Sequence, residues 1–175
     1  MKTWTIDQAH SEVGFTVKHL LISTVRGRFA TFEGSLTASD ETFSDAKLFV
    51  SIDAASITTN NAMRDGHLQS PDFFDTANFP KITFVSKSFA PAGDKKYTIT
   101  GDFTMRGVTK EITIDAILNG TATDSYGKKV ASFDVSGTIK RTDYGVNWNA
   151  ALEAGGVAVS EDVTLEATVE LKEAE

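Results

Sequence analysis

Arg64, Asp65 and His67 fall within four residues of one another, and Ser70 follows three positions later. A cation, a carboxylate and an imidazole this close together could move a proton or recognise an anion. Ser70 or Ser11 with His67 and Asp65 would supply the parts of a nucleophilic trio, but neither serine sits in a G-x-S-x-G elbow. A chain of this length holds such a trio by chance. The three histidines, His10, His19 and His67, show no H-x-x-x-H spacing, and the absence of cysteine removes thiolate zinc ligands and thiol nucleophiles. No metal is therefore expected. Aspartates and glutamates are spread over turns and outer faces, and neither G-x-x-x-x-G-K-S/T nor G-x-G-x-x-G occurs, so no nucleotide cofactor is expected either. The Arg64, Asp65 and His67 group reads as the polar end of a ligand site or as a local charge network fixing its own segment.

That segment runs from Asn60 to Phe84 and interrupts an otherwise regular apolar–polar alternation. Ser70-Pro71-Asp72 predicts a helix start, with Ser70 as N-cap, Pro71 at the first helical position and an acid in the first turn. Phe73, Phe74 and Phe79 follow, Pro80 stops the helix, and Ile82 and Phe84 open a strand. A helical insert over about 60–79 results. Elsewhere the alternation predicts strands. Trp4 and Ile6 share a face, as do Val13, Phe15, Val17 and His19, which places His19 inward. A strand over 25–36 carries Phe29 and Phe32 with opposite parity, which predicts a bulge or a strand covered on both faces. Thr37 to Ser44 reads as polar loop. Ala46 to Ile52, Lys81 to Phe89, Tyr97 to Met105, Ile112 to Leu118, Ala131 to Ile139 and Val163 to Leu171 supply further inward rows. Pro91-Ala92-Gly93-Asp94 reads as a turn, and Ala150 to Gly156 as a small-residue loop.

About eight main strands and a short first one make an all-β protein. Long strands with glycines among large inward residues (Gly14, Gly34, Gly101, Gly137) favour a closed antiparallel barrel over a sandwich. Eight strands can just enclose one small ligand. With 175 residues, a single domain is the simplest organisation. The net charge of −7 argues against nucleic acid and disfavours tight adhesion to an anionic membrane surface. No apolar run is long enough to span a bilayer. The start at Met1-Lys2-Thr3-Trp4 carries no signal peptide, which predicts a cytoplasmic protein as written, or a periplasmic or secreted one if a leader was removed. Twelve phenylalanines, two tryptophans and three tyrosines either fill the core or wall a ligand cavity. Composition leaves both readings open.

Ordered motifs then cover essentially the whole chain: W-T-I-D-Q-A-H-S-E-V-G-F-T-V-K-H-L (4–20), G-R-F (27–29), R-D-G-H-L-Q-S-P-D-F-F-D-T-A-N-F-P-K-I-T-F (64–84), G-D-F-T-M-R-G-V-T-K (101–110) and R-T-D-Y-G-V (141–146). In these the chain resembles the YceI-like family of bacterial lipid-binding proteins. The resemblance implies an extended lipocalin-like barrel with a helical insert, an apolar interior holding a polyisoprenoid such as a polyprenyl quinone precursor or polyprenyl phosphate, a homodimer, and no enzymatic activity. A buried methylene is worth about 0.8 kcal/mol, so each five-carbon unit would contribute about 3–4 kcal/mol before costs. Four units would approach the practical ceiling of non-covalent affinity. The tail should therefore dominate binding, and the head group should set orientation.

The residues expected to line the tunnel are Phe15, Val17, His19, Phe29, Phe32, Val50, Ile52, Phe84, Phe103, Ile114 and Phe133. Phe73, Phe74 and Phe79 should brace its mouth or the insert. Arg64, Asp65, His67 and Arg141 are candidates for the polar end, some of them as a structural network. The competing readings are a small hydrolase or isomerase working at His67 and Asp65 on a prenyl or fatty substrate, and an interaction module with a filled core.

Overall fold

The computed structural model describes residues 1–149 and 158–175, so the loop read at Ala150 to Gly156 lies outside the described residues. The strands are β1 (Lys2–Ile6), β2 (Glu12–His19), β3 (Ser23–Phe29), β4 (Phe32–Ala38), β5 (Lys47–Asp53), β6 (Ile57–Thr58), β7 (Lys81–Gly93), β8 (Lys96–Met105), β9 (Val108–Thr123), β10 (Lys129–Lys140) and β11 (Val159–Glu173). One helix, α1 (Ala62–Gln69), lies between β6 and β7. All pairings are antiparallel, and the ring β1-β4-β5-β7-β8-β9-β10-β11 closes through β1 and β11 into an eight-stranded barrel.

The three remaining strands extend this ring rather than adding to it. β1 and β2 pair with the two ends of the same partner: Trp4 to Ile6 face Glu173 to Leu171, and Glu12 to His19 face Thr168 to Val159. They are one long strand broken by a 3-10 turn at Gln8–His10. β3 and β4 are likewise one strand broken at Ala30 and Thr31, and β5 and β6 one strand broken by a 3-10 turn at Ala54–Ser56. The three breaks lie side by side and bond to one another. The Gln8 amide donates to the Ala30 carbonyl (3.2 Å), the Ser56 hydroxyl accepts from Thr31 N–H (3.0 Å), and Asp53 N–H donates to the Thr31 carbonyl (3.0 Å). They form a belt around half of the barrel. The break between β3 and β4 also accounts for the opposite parity of Phe29 and Phe32, which reflects neither a bulge nor a doubly covered strand.

Below the belt the barrel is narrow and plugged. The 39–46 loop, expected over Thr37 to Ser44 as plain polar connection, drives Phe43 into the barrel end, where it is fully buried with φ +56. Its ring packs edge-on against Trp4 (5.5 Å between centroids) and Phe133 (5.3 Å). The Tyr97 hydroxyl donates to the Thr42 carbonyl (2.5 Å), which pins the loop. β7 does not stop at Phe89 as expected but runs through Pro91, which pairs with Tyr97. A register shift between Ser86 and Ser88 turns Phe84 and Phe89, of opposite parity, to the same interior.

Above the belt the barrel widens because β9 and β10 part. They pair only from Asp115–Ser136 down to Thr123–Lys129. Beyond that point β9 pairs with β8 alone and β10 with β11 alone. Ile114 lies against Gly137 in the seam, at a distance that leaves no room for a Cβ (2.7 Å). The 3-10 turn Arg141–Tyr144 turns Tyr144 in against Phe103 (5.5 Å, edge-on).

The insert covers this wide end, with its helix in a different place from the one expected. α1 begins at Asn61, whose side chain accepts from Arg64 N–H (3.0 Å), and Ser70 ends it. The Ser70-Pro71-Asp72 signal does cap a turn, since Asp72 N–H donates to Ser70 Oγ (3.3 Å). Asp75 then adopts φ +48 and stops propagation, so only single turns follow.

Candidate functional site

Each half of the barrel holds a cavity. The upper one measures about 360 Å³ and the lower about 130 Å³, and both walls are almost entirely carbon. Phe103 and Leu165 line both and form the partition between them.

In the upper cavity Phe15 and Val17 come from β2, Phe29 from β3 and Ile52 from β5, with Phe73 and Phe74 from the insert. Phe15 lies over Gly27, its cross-strand partner, in contact where a larger residue would carry its Cβ. Among the expected lining residues, Val50, Phe84, Ile114 and Phe133 face the lower cavity instead. Phe32 is buried but lines neither cavity, and Phe79 packs against Gly107 in the β8–β9 turn. Gly107 (φ +73) follows Arg106 (φ +50), the paired left-handed conformations of a two-residue hairpin. His19 is exposed and stands on the rim, not inward as its parity suggested.

The polar groups separate into clasp and rim. Arg64 and Asp65 do not face a common ligand position; they grip Thr59 from both sides. Asp65 Oδ1 accepts from Thr59 N–H (2.8 Å) and hydroxyl (2.6 Å), while Arg64 donates from Nε to the same hydroxyl (2.7 Å) and from Nη2 to the Thr59 carbonyl (2.8 Å). Asp65 is thereby a structural anchor outside the cavity wall, whereas Arg64 also lines it. Arg141 is 4 % exposed and donates to the carbonyls of Ser160 (2.8 Å), Val146 (2.8 Å), Trp148 (2.9 Å) and Val159 (3.3 Å). Asn149 adds two backbone bonds to Val159 (2.7 and 3.0 Å). Together they strap 146–149 to the start of β11. Desolvation pulls the Arg141 pKa below the usual arginine range, with Glu161 opposing it, and no carboxylate forms an ion pair with it among the described residues.

His67 completes the wall at the insert. Its ring meets the edges or faces of Phe73 and Trp148, 5.0 Å from each, and Nε2 lies 2.8 Å from Asp72 Oδ2. The hydrolytic trio is not assembled: His67 pairs with Asp72, Asp65 is held by Thr59, and Ser70 Oγ donates to the His67 carbonyl (2.6 Å). The ionisable residues that border the upper cavity are all basic or imidazole: Lys18 and His19 at the rim, with Lys18 Nζ turned outward to the Thr24 hydroxyl (2.7 Å), and Arg64, His67 and Arg141. This occurs in a chain of net charge −7.

Elsewhere, Asp7, His10 and Glu170 bring potential ligand atoms within 4.8 Å of one another. The Lys172 ammonium already occupies that place, 3.2 Å from Asp7 Oδ2, with His10 Nδ1 at 2.8 Å. This group joins β1 to β2 at the belt and fits an ion pair better than a metal.

Trp148, Leu165, Ile139 and Leu68 also line the upper cavity and were not anticipated. Leu165 carried an inward parity signal. Trp148 lies in irregular chain, where periodicity carries no information.

The model of the YceI-like domain matches residues 4–171. The chain belongs to that family. A UPF0312 protein of Staphylococcus aureus is 42 % identical over 171 residues, covering 97 % of each chain. The YceI protein of Campylobacter jejuni superposes with a TM-score of 0.78 at 36 % identity, over 97 % of this chain and 96 % of that one. A polyisoprenoid binding domain from Saccharophagus degradans, implicated in plant cell wall breakdown, shares the fold (TM-score 0.73, 98 % of each chain) at 16 % identity. At that identity the likeness shows the barrel fold.

Proposed function

We propose that this YceI-like protein sequesters or carries a long-chain isoprenoid with an anionic head, of the polyprenyl phosphate kind, with the tail in the upper cavity and the head at its rim. The observation that carries this reading is an apolar cavity of about 360 Å³ whose ionisable wall residues are all basic or imidazole. Carbon walls recognise a tail of any kind, at about 0.8 kcal/mol per methylene. A neutral quinone head could accept hydrogen bonds from these groups through its carbonyls, whereas a phosphate gains the attraction of opposite charges in addition. The Saccharophagus degradans domain supports the isoprenoid class of tail.

The test is to extract gently purified protein with organic solvent and identify the lipids by mass spectrometry. Delipidated protein is then titrated with prenyl phosphates and prenyl alcohols of matched length. Co-purification of an isoprenoid, and tighter binding of the phosphate at equal length, is the expected result. A protein that releases no lipid and binds neither series would overturn the reading; equal affinity for both series would overturn the anionic head.

A further inference from the structure

The β2–β3 hairpin ends in three consecutive aliphatic residues, Leu20, Leu21 and Ile22, which are 39, 61 and 86 % exposed. Leu20 and Leu21 have φ values of +54° and +64°, and Ile22 N–H donates to the His19 carbonyl (3.2 Å). This is a turn with both central residues left-handed, where Asn-Gly is the favoured pair because L side chains oppose that conformation. Two leucines there work against local folding and present their side chains to solvent as well. Such a conflict between local preference and fold is expected where a residue serves something other than stability.

Charge supplies the second observation. Between residues 12 and 29 the hairpin carries Lys18, Arg26 and Arg28 against the single acid Glu12. The register pairs Lys18 with Thr24, Thr16 with Arg26 and Gly14 with Arg28, so all three cations share the outward face, opposite Phe15 and Val17. Glu161, Asp162 and Glu166 of the next strand limit this positive field, though Arg26 meets Glu166 only at 3.9 Å. The exposed rim of the upper cavity is formed by Lys18 and His19 of the same hairpin and Arg64 of α1. Met63, one turn before His67 on α1, is a further exposed aliphatic at this end.

We infer that the β2–β3 tip is a docking finger for an anionic bilayer surface: Leu20, Leu21 and Ile22 enter the acyl boundary, and Lys18, Arg26 and Arg28 lie against the lipid phosphates. Apolar wedges flanked by cations bind interfaces in this way, by buried aliphatic area together with attraction to anionic lipid. The rest of the molecule is net negative, which favours approach by this end. Docked so, the cavity rim faces the bilayer, and a long-chain lipid could pass in without crossing water. The docking does not depend on what fills the cavity.

The test is sedimentation of delipidated protein with vesicles of phosphatidylcholine containing about a third phosphatidylglycerol, and with phosphatidylcholine alone. Wild type should sediment with the anionic vesicles, and less as salt rises. The variant Leu20→Asn/Leu21→Gly/Ile22→Thr should lose about tenfold or more in vesicle affinity while its thermal midpoint holds or rises, because the new turn suits its backbone. Lys18→Gln/Arg26→Gln should lower affinity for the anionic vesicles severalfold and weaken the salt dependence, since Arg28 remains. Wild type left in the supernatant, or a triple variant that sediments like wild type, would overturn the docking. So would self-association of wild type that the triple variant abolishes without any vesicle binding, since the tip would then belong to a second copy. Prenyl phosphate titration of the triple variant without vesicles keeps the two proposals apart: it should bind as wild type does.

Discussion

The lower and upper halves of this barrel are made largely from the same strands yet differ in what they contain. Below the belt, Phe43, Trp4, Phe133, Phe89 and Tyr97 interlock at centroid distances of 5.0–6.3 Å and leave a small void. Above it, β9 and β10 separate, and the opening is roofed by an insert whose helix has no fully buried residue. The lower half carries the burial that holds the fold together; the upper half can keep a cavity because it relies on the lower. The difference arises from three short chain breaks and one lost pairing, not from a change in composition between the halves.

The largest expected effect tests that division of labour directly. Phe133→Ala removes a ring that three other aromatics touch and should cost about 3–5 kcal/mol in urea denaturation. Phe15→Ala removes a half-buried ring that borders the larger cavity and meets one other ring, Phe29, and should cost less than half as much. Equal losses at the two sites would mean that the halves are equally packed and would break the comparison.

Leu165→Ala probes the boundary. Leu165 and Phe103 separate the cavities, so removing one side of the partition should let a tail run from the upper space into the lower. The longest prenyl chain retained, read by mass spectrometry of bound lipid, should increase, at a cost of about 2 kcal/mol in stability. An unchanged chain-length limit would show that the lower void is not in line with the upper.

The smallest effect lies at the belt itself. The hydrogen bond from His10 is the main cause holding the Asp7 carboxyl below its ordinary 3.8, and the same bond raises His10 above its ordinary 6.5. The Asp7 contribution is present above pH 3.8 and is lost as pH falls through the lowered value. The His10 contribution is present below pH 6.5 and is lost as pH rises through the raised value. The joint is thus firmest between these limits, and thermal midpoints should fall slightly from pH 5.5 to pH 8. His10→Gln should flatten that slope; a variant that keeps it would place the titration elsewhere.

Much of the barrel could be read along the chain. The rows Tyr97–Met105, Ile112–Leu118 and Ala131–Ile139 face inward with the parity that strict alternation implies. Where alternation broke, the reading failed in ways that can be traced. Phe29 and Phe32 needed a break whose partners, Gln8 and Ser56, lie more than twenty residues away. Phe43 stood in a polar loop with no periodic neighbour to mark it as a plug. The sequence points to a helix after Ser70 because Gly66 and the lack of an apolar stripe hide α1, and because nothing in Ser70-Pro71-Asp72 signals the left-handed Asp75. At the site, alternation marks Phe15 and Val17 as inward residues but does not say which cavity a residue borders, as Val50, Phe84, Ile114 and Phe133 at the lower one show, and the roles of the charged residues are not legible. Asp65, Arg64 and Arg141 owe their roles to carbonyls and a hydroxyl that only the fold brings within reach.

By itself the sequence determined which side of each regularly alternating strand faces inward, because a two-residue period sorts side chains without reference to any other strand. It also determined that a polar, aromatic insert interrupts the sheet once, and which family the motifs resemble. Tertiary structure alone decided that the interior is two spaces and not one, since a cavity is what remains when distant strands part and their side chains do not meet. It likewise decided which charges serve as clasps and which stand on the rim, because a charged side chain takes its role from the partners that folding places beside it.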